Sequence, residues 1–277
     1  MPWAGLRLAV TLLTVIPLPA GRQPRRDPAA PDPAGLPPAA PYLAAPAASV
    51  CAPTRQQAGA AMCWAPAVGL LLGGIAGGIL WVAGQLGRTG PLLAAVLAIA
   101  ALAALTGGLH LDGLADLADG LGSRRPAGRA LEIMKESDIG PFGVAALVLI
   151  LLIQVAALAR ADSAGRGVIA VLTAAVGARL AMTVACRRGV PAARGSGLGA
   201  LVAGSVHPVA AAVLTAAGVA AAAAFGWIFA VAMAAGLVAS VALTAAAVRR
   251  LGGITGDVLG AIAEVTAAVC LLVTALR

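Results

Sequence analysis

Charged residues make up only 11% of this 277-residue chain, so the few carboxylates stand out as groups that can do chemistry. Six of the eleven Asp and Glu residues, Asp112, Asp116, Asp119, Glu132, Glu136 and Asp138, lie in the stretch 112–138. On a helix turning about 100° per residue, Asp112, Asp116 and Asp119 project at roughly 0°, 40° and −20°, so one face carries all three. Glu132 and Glu136, four apart, are expected to share a face of a second short helix. Carboxylates gathered without matching cations repel one another and hold protons more tightly. A divalent metal relieves that repulsion. Oxygen ligands with no His pair or Cys favour Mg²⁺ or Mn²⁺ over zinc, and Mg²⁺ is commonly shared with substrate phosphates. Arg124, Arg125, Arg129 and Lys135 lie in the same stretch and suit the outer phosphate charge. The chemistry indicated is phosphoryl transfer, with metal on a pyrophosphate. A solvated loop would hold the same residue types. The register of the acids is what sets this one apart.

Four further groups could join the site. His110 would point about 160° away from Asp112 on a continuous helix, so a hydrogen-bonded structural role and a catalytic one both stay open; Gly107-Gly108 permits a break before it. The sequence LGGITGDVLGAIAEV places Gly252, Gly253 and Gly256 just before Asp257. A glycine-rich turn feeding a helix can present backbone N–H groups to an anion. Glu264, seven residues after Asp257, shares its helical face and is an acid within an apolar run, so it should point into protein. Arg179, also within an apolar run, is either an internal partner for Glu264 or Asp257 or a ligand for substrate phosphate.

The elements that must position these groups are membrane helices. The chain is 61% hydrophobic, 3% aromatic and rich in Gly (35), whereas about a quarter of the residues of a soluble domain are charged. Apolar runs at 64–86, 91–109, 142–160, 167–186, 206–225, 227–248 and 257–276 predict a single all-α polytopic bundle of about seven transmembrane helices spanning residues 1–277, with small residues allowing close helix approach. The run 5–19 is short and closed by Pro17 and Pro19; it resembles a signal peptide superficially but is expected to remain as an interfacial or half-buried helix. The Ala/Pro-rich stretch 20–60 reads as an irregular linker. Runs 206–225 and 227–248 meet at Phe225-Gly226-Trp227, either as a tight hairpin or as one region with displaced boundaries. Cys51, Cys63, Cys186 and Cys270 have no metal or disulfide spacing and read as packing residues.

The net charge of +8 is a matter of topology rather than of nucleic acid. If 22–55 is cytoplasmic, the loops 110–141, 187–205 and 249–256 share that side. These segments hold thirteen Lys and Arg against four on the other side, a strong positive-inside bias. The acidic loop and the glycine turn therefore fall on the same, cytoplasmic, face of a cell inner membrane.

At TGGLHLDGLADLADG (106–120), LEIMKESDIGPFG (131–143) and LGGITGDVLGAIAE (251–264) the sequence resembles the cobalamin synthase family (adenosylcobinamide-GDP ribazoletransferase). TLLTVIPLP (11–19), PAVGLLLGGIAG (66–77) and GLGALVAG (197–204) add weaker matches. The resemblance implies that the ribose 5′-hydroxyl of α-ribazole, or of its 5′-phosphate, attacks the cobinamide-linked phosphorus of adenosylcobinamide-GDP. GMP leaves, adenosylcobalamin or its 5′-phosphate forms, and Mg²⁺ is required. By motif position, His110, Asp112, Asp116, Asp119, Glu132 and Lys135 carry over as the site. Where the family commonly has M-[KR]-D-S-R-[IL]-G-T, this chain has Met134-Lys135-Glu136-Ser137-Asp138-Ile139-Gly140-Pro141, which lengthens one acid and reverses one charge. Catalysis is thus expected from Asp112, Asp116, Asp119, Lys135 and His110, and Mg²⁺ ligation from Asp112, Asp116, Asp119, Glu132 and Glu136. Substrate contacts are expected from Arg124, Arg129, Ser137, Gly253, Gly256, Asp257, Arg179 and Glu264.

Two other functions share some of these features. Asp116-x-x-Asp119-Gly120 followed by Arg124 approximates the D-x-x-D-G-x-x-A-R of CDP-alcohol phosphotransferases, although their later Gly and paired Asp are absent. A cation or corrinoid transporter would distribute polar residues through its spans, whereas here they gather at one face. Lipid contact follows from the spans, and the sequence leaves a monomer or a homo-oligomer open.

Overall fold

A computed structural model describes residues 2–14, 53–86 and 90–277. Eleven helices form among them: α1 (Pro2–Leu13), α2 (Arg55–Gln85), α3 (Pro91–Leu105), α4 (Leu109–Gly122), α5 (Ala127–Ile133), α6 (Pro141–Ser163), α7 (Gly167–Ala185), α8 (Leu198–Val202), α9 (Pro208–Ala224), α10 (Trp227–Leu251) and α11 (Gly256–Ala275). Each of the seven apolar runs has become a helix. Five of these (α2, α6, α7, α10 and α11) are long and apolar enough to cross a membrane; α9 is shorter, and α3 reaches that length only together with α4, from which it is bent by 87°. The protein is an all-α, multi-pass membrane protein.

Helix starts follow local chemistry. Thr54 accepts from the Gln57 amide while the Gln57 side chain accepts from the Thr54 amide, a capping box that satisfies two amides otherwise left unpaired at a helix start. This sets α2 going at Arg55, inside the stretch expected to be an irregular linker, so 55–60 is helical. The part of that stretch from 20 to 52, with Arg22, Arg25, Arg26 and Cys51, lies outside the described residues. Helices α3, α6 and α9 each open with proline, whose fixed φ suits the first helical turn. α1 packs on α2 through buried Ala9 and Leu13, in keeping with a half-buried segment. Gly226, at φ 138°, joins α9 to α10 in a tight turn, so the hairpin reading holds.

Backbones approach closely where glycine replaces a side chain. A Cβ at Gly69 would come within 2.6 Å of the Ala175 carbonyl oxygen, which locks α2 to α7. More important for function is the crossing of α4 and α11. A Cβ at Gly113 would lie 2.8 Å from the Asp257 Cα, and one at Gly260 3.0 Å from the His110 Cα. Without bulk between them, α4 lies across the N-terminal ends of α11 and α6. With 14 residues it is too short to cross a membrane by itself. Gly107 and Gly108, at φ 61° and 71°, provide the break that turns the chain from α3 into α4.

Neighbouring segments are tied together by backbone hydrogen bonds. Ala193 N–H donates to the Ile254 carbonyl at 3.0 Å and Ile254 N–H to the Pro191 carbonyl at 2.9 Å, so the α7–α8 connection lies against the turn before α11. Gly253 is needed for that contact, because a Cβ there would be 2.5 Å from the Pro191 oxygen.

Candidate active site

The face of α4 carrying Asp112 and Asp116 borders a cavity of about 400 Å³, whose other wall is the segment after α5, with Lys135, Glu136, Ser137 and Asp138. A second cavity of about 250 Å³ lies under the α8 loop and the glycine turn, lined by Arg194, Ser196, Gly256 and Asp257. The two cavities have separate linings, and α4 and α11 pack closely where Gly113 stands against the Asp257 backbone. Asp116 lines the larger cavity. Its carboxyl is pushed up to about 6, first by burial and then by the charges of Asp112, Asp257 and Asp119, with Arg194 pulling the other way. The site thus holds more negative charge than its own cations offset.

Arg194 lines the smaller cavity, although sequence patterning does not single it out. Its guanidinium donates to the Leu131 carbonyl at 2.7 Å and meets the Asp257 carboxylate at 3.5 Å. It thereby ties the end of α5 to the start of α11. Asp257 also accepts from the Thr255 hydroxyl at 3.1 Å, while Thr255 caps α11 by accepting from the Val258 amide. The partners are 63 residues apart, beyond any helical period.

Other expected site residues occupy different positions. Asp119 does not line either cavity: its two oxygens accept from the amides of Gly140 at 2.8 Å and Gly143 at 2.9 Å. It therefore caps the N-terminus of α6, where a carboxylate also suits the helix dipole. Glu132 and Glu136 do not share a helix, because α5 ends at Ile133. Both are exposed and pair with Arg129, at 3.0 Å and 3.4 Å, contacts that contribute little individually in water. Glu136 still borders the larger cavity; Glu132 does not. Arg124 takes a left-handed φ of 53° in the turn between α4 and α5 and, like Arg125, is exposed. Gly253 is consumed by packing, while Gly256 lines the smaller cavity.

His110, Arg179 and Glu264 form a separate buried polar layer. They line a small cavity of about 40 Å³ together with Gln154 and Thr106. Gln154 donates to the Glu264 carboxylate at 2.8 Å. Arg179 is only 5% exposed, and its Nε has no hydrogen-bond partner among the described residues. Arg179 accordingly shares an interior cavity with Glu264 rather than a surface with Asp257, and His110 faces the interior, as its helical angle indicated.

Could the acidic cavity hold Mg²⁺? Its donors are hard carboxylate oxygens in excess of cationic partners, as the perturbed Asp116 shows. Among the described residues, no three His, Cys, Asp or Glu side chains come close enough to hold an ion by themselves. Asp112 and Asp116 could therefore hold Mg²⁺ only as one or two ligands beside water and substrate phosphates, a sharing common for that ion.

Taken together, the fold and the site define a polytopic all-α membrane protein with a carboxylate-rich cleft open at one membrane face. The family model for cobalamin-5-phosphate synthase matches residues 5–275, and the chain belongs to that family. It is 45% identical to an adenosylcobinamide-GDP ribazoletransferase of Frankia casuarinae, over 80% of this chain and 87% of the relative. It is 40% identical to one from Ectopseudomonas mendocina over 81% and 90%, and 38% identical to one from Desulforamulus reducens over 72% and 79%. No solved structure matches the chain.

Proposed function

We propose that this protein joins α-ribazole, or its 5′-phosphate, to adenosylcobinamide-GDP at the cleft bordered by Asp112, Asp116 and Asp257, releasing GMP. The observation that carries this reading is the gathering of these carboxylates at the α4–α11 crossing, Asp112 and Asp116 on one cavity and Asp257 on a second, in a chain belonging to the cobalamin-5-phosphate synthase family. The ribose 5′-hydroxyl attacks the cobinamide-linked phosphorus; the new P–O bond forms as the bond to the GMP oxygen breaks. Asp112 and Asp116 would hold Mg²⁺, with the substrate pyrophosphate completing its coordination. When bound, the ion supplies charge neutralisation at the phosphates. The hydroxyl proton passes to a carboxylate of the cluster. Lys135 and Arg194 offset charge on departing GMP, and Ser137 and Gly256 contribute polar contacts to the two cavity walls. With the acidic loop and the Arg-rich loops at one face, the positive-inside bias supports a site that faces the cytoplasm.

The test is GMP formation by the purified protein in detergent with adenosylcobinamide-GDP and α-ribazole, with and without Mg²⁺. GMP should appear only with both substrates and the metal. Consumption of a cytidine donor instead would assign the cleft to CDP-alcohol chemistry, and no turnover of either donor would remove the transferase reading.

A pH dependence follows from Asp116. Protons compete with the metal for a carboxyl titrating at about 6, so apparent Mg²⁺ affinity should be flat above that pH and fall about tenfold per unit below it. Isothermal titration between pH 5 and 8 measures this, and an affinity independent of pH across that range would show that Asp116 is not a ligand.

A further inference from the structure

Away from the acidic cleft, α2 and α9 touch only sparsely, and two cavities that share Cys63 follow one another along them as a channel. We propose that this channel binds one anionic phospholipid of the surrounding membrane, with its phosphate at the mouth and an acyl chain running down between the helices. The mouth is an open cavity of about 820 Å³ at the N-terminal ends of α2 and α9, on the same membrane face as the active site. Arg55, Arg188 and His207 line it, and no Asp or Glu does among the described residues. Arg55 uses one nitrogen on the Ala203 carbonyl at 2.7 Å. The Arg188 guanidinium makes no hydrogen bond or ion pair among the described residues. His207 accepts from the Val209 amide through Nδ1, which leaves Nε2 to donate. The charge is that of a phosphate receptor.

Below the mouth the lining becomes apolar. A groove of about 320 Å³ runs past Trp64, Ala67, Leu70, Leu214, Ala217 and Ala221, and Cys63 lines both it and the mouth. The two cavities are therefore consecutive parts of one path. On α2 the path follows Gln56, Ala60, Cys63, Ala67 and Leu70, at steps of three or four residues; on α9 it follows Ala210, Leu214, Ala217 and Ala221. Each series is a single helical stripe. From Ala210 to Ala221 the rise is about 16 Å, the depth of one leaflet, or half of a hydrocarbon core of about 30 Å. Trp64, 36% exposed, lies just below the basic mouth, where an interfacial indole belongs. A free phosphate would leave the groove unfilled, and a zwitterionic lipid would leave the arginines without net countercharge. An anionic phospholipid satisfies both parts.

Native mass spectrometry of the full chain in detergent tests this, with phosphatidylglycerol and phosphatidylcholine of matched chains and with glycerol phosphate as the headgroup alone. The expected result is a single phosphatidylglycerol adduct, favoured over phosphatidylcholine by about fivefold for each basic residue that engages it. Arg188→Gln should weaken phosphatidylglycerol about fivefold and leave phosphatidylcholine unchanged. Ala217→Phe, which fills the groove, should weaken both lipids while glycerol phosphate fails to displace them. Ala221→Leu serves the same purpose if the larger ring prevents folding, as judged by melting temperature. Equal affinity for the two lipids, or a preference that survives Arg188→Gln, overturns the proposal. So does indifference to a folded groove-filling variant, or displacement by glycerol phosphate, which would mark an anion site without an acyl groove. Absence of any adduct overturns it too.

Discussion

Asp116→Ala protein should release GMP from adenosylcobinamide-GDP about 10²–10³-fold more slowly than the parent, the scale seen when one group stabilising transition-state charge is removed. Asp116→Asn should lose nearly as much, because it keeps the shape and removes the charge. Both variants should also be more stable than the parent at neutral pH. The carboxyl titrates at about 6 in the folded protein because burial and the charges of Asp112, Asp257 and Asp119 penalise its ionised form, whereas an unfolded chain ionises it near the ordinary aspartate value of about 3.9. Its raised pKa means that folding is favoured while the group is protonated, and that this advantage is lost as pH rises from the unfolded value through about 6. The gain in melting temperature of Asp116→Asn should therefore be full above pH 6 and shrink toward pH 4. Such an opposition between stability and activity is expected where charge is held for function. Melting curves at pH 5 and 8 beside the GMP assay measure both sides; a variant less stable than the parent at pH 8 would show that Asp116 serves the fold instead.

The second large effect belongs to Asp119, and it has the opposite signature. Asp119→Ala removes the acceptor for the Gly140 and Gly143 amides and should destabilise the protein by about 1–3 kcal/mol, the range for losing a charged helix cap. Turnover should fall as well, because this cap fixes the start of α6 and with it the 135–139 segment that walls the larger cavity. Mg²⁺ affinity should stay within a few-fold of the parent. Asp119→Asn, which keeps one oxygen acceptor, should be intermediate in stability. Thermal melting and Mg²⁺ titration on the same preparations decide the matter. If Asp119→Ala melts like the parent but no longer binds Mg²⁺, Asp119 is a metal ligand and not a cap.

These two aspartates show how far the sequence can be read. The helical period correctly placed Asp112, Asp116 and Asp119 toward one side of α4 and turned His110 inward, because a period reports direction around one axis. It says nothing of what waits in that direction. Asp116 meets a cavity and Asp119 meets the amides of α6, three residues further along. Hydropathy found the helices from α2 to α11 that cross or line the bundle because burial in lipid demands long apolar runs. It missed the first turns of α2, where Arg55, Gln56 and Gln57 are polar and the signal is a capping box. Glu132 and Glu136 lost their shared face because α5 stops at Ile133. Arg194 was invisible as a site residue for a different reason. Its importance comes from reaching both Leu131 and Asp257, a juxtaposition of three segments that only tertiary structure creates.

The crossing of α4 and α11 also bears on how the protein is made. Asp112 and Asp116 are inserted well before Asp257, which arrives with the last helix, and the glycines at 113 and 260 allow the two helices to meet only once that helix has docked. A nascent chain that has placed every earlier span in the membrane still has half a cleft, with no Asp257 to engage Arg194. The carboxylates of this face are thus gathered by the docking of α11 against α4 and by neither helix alone.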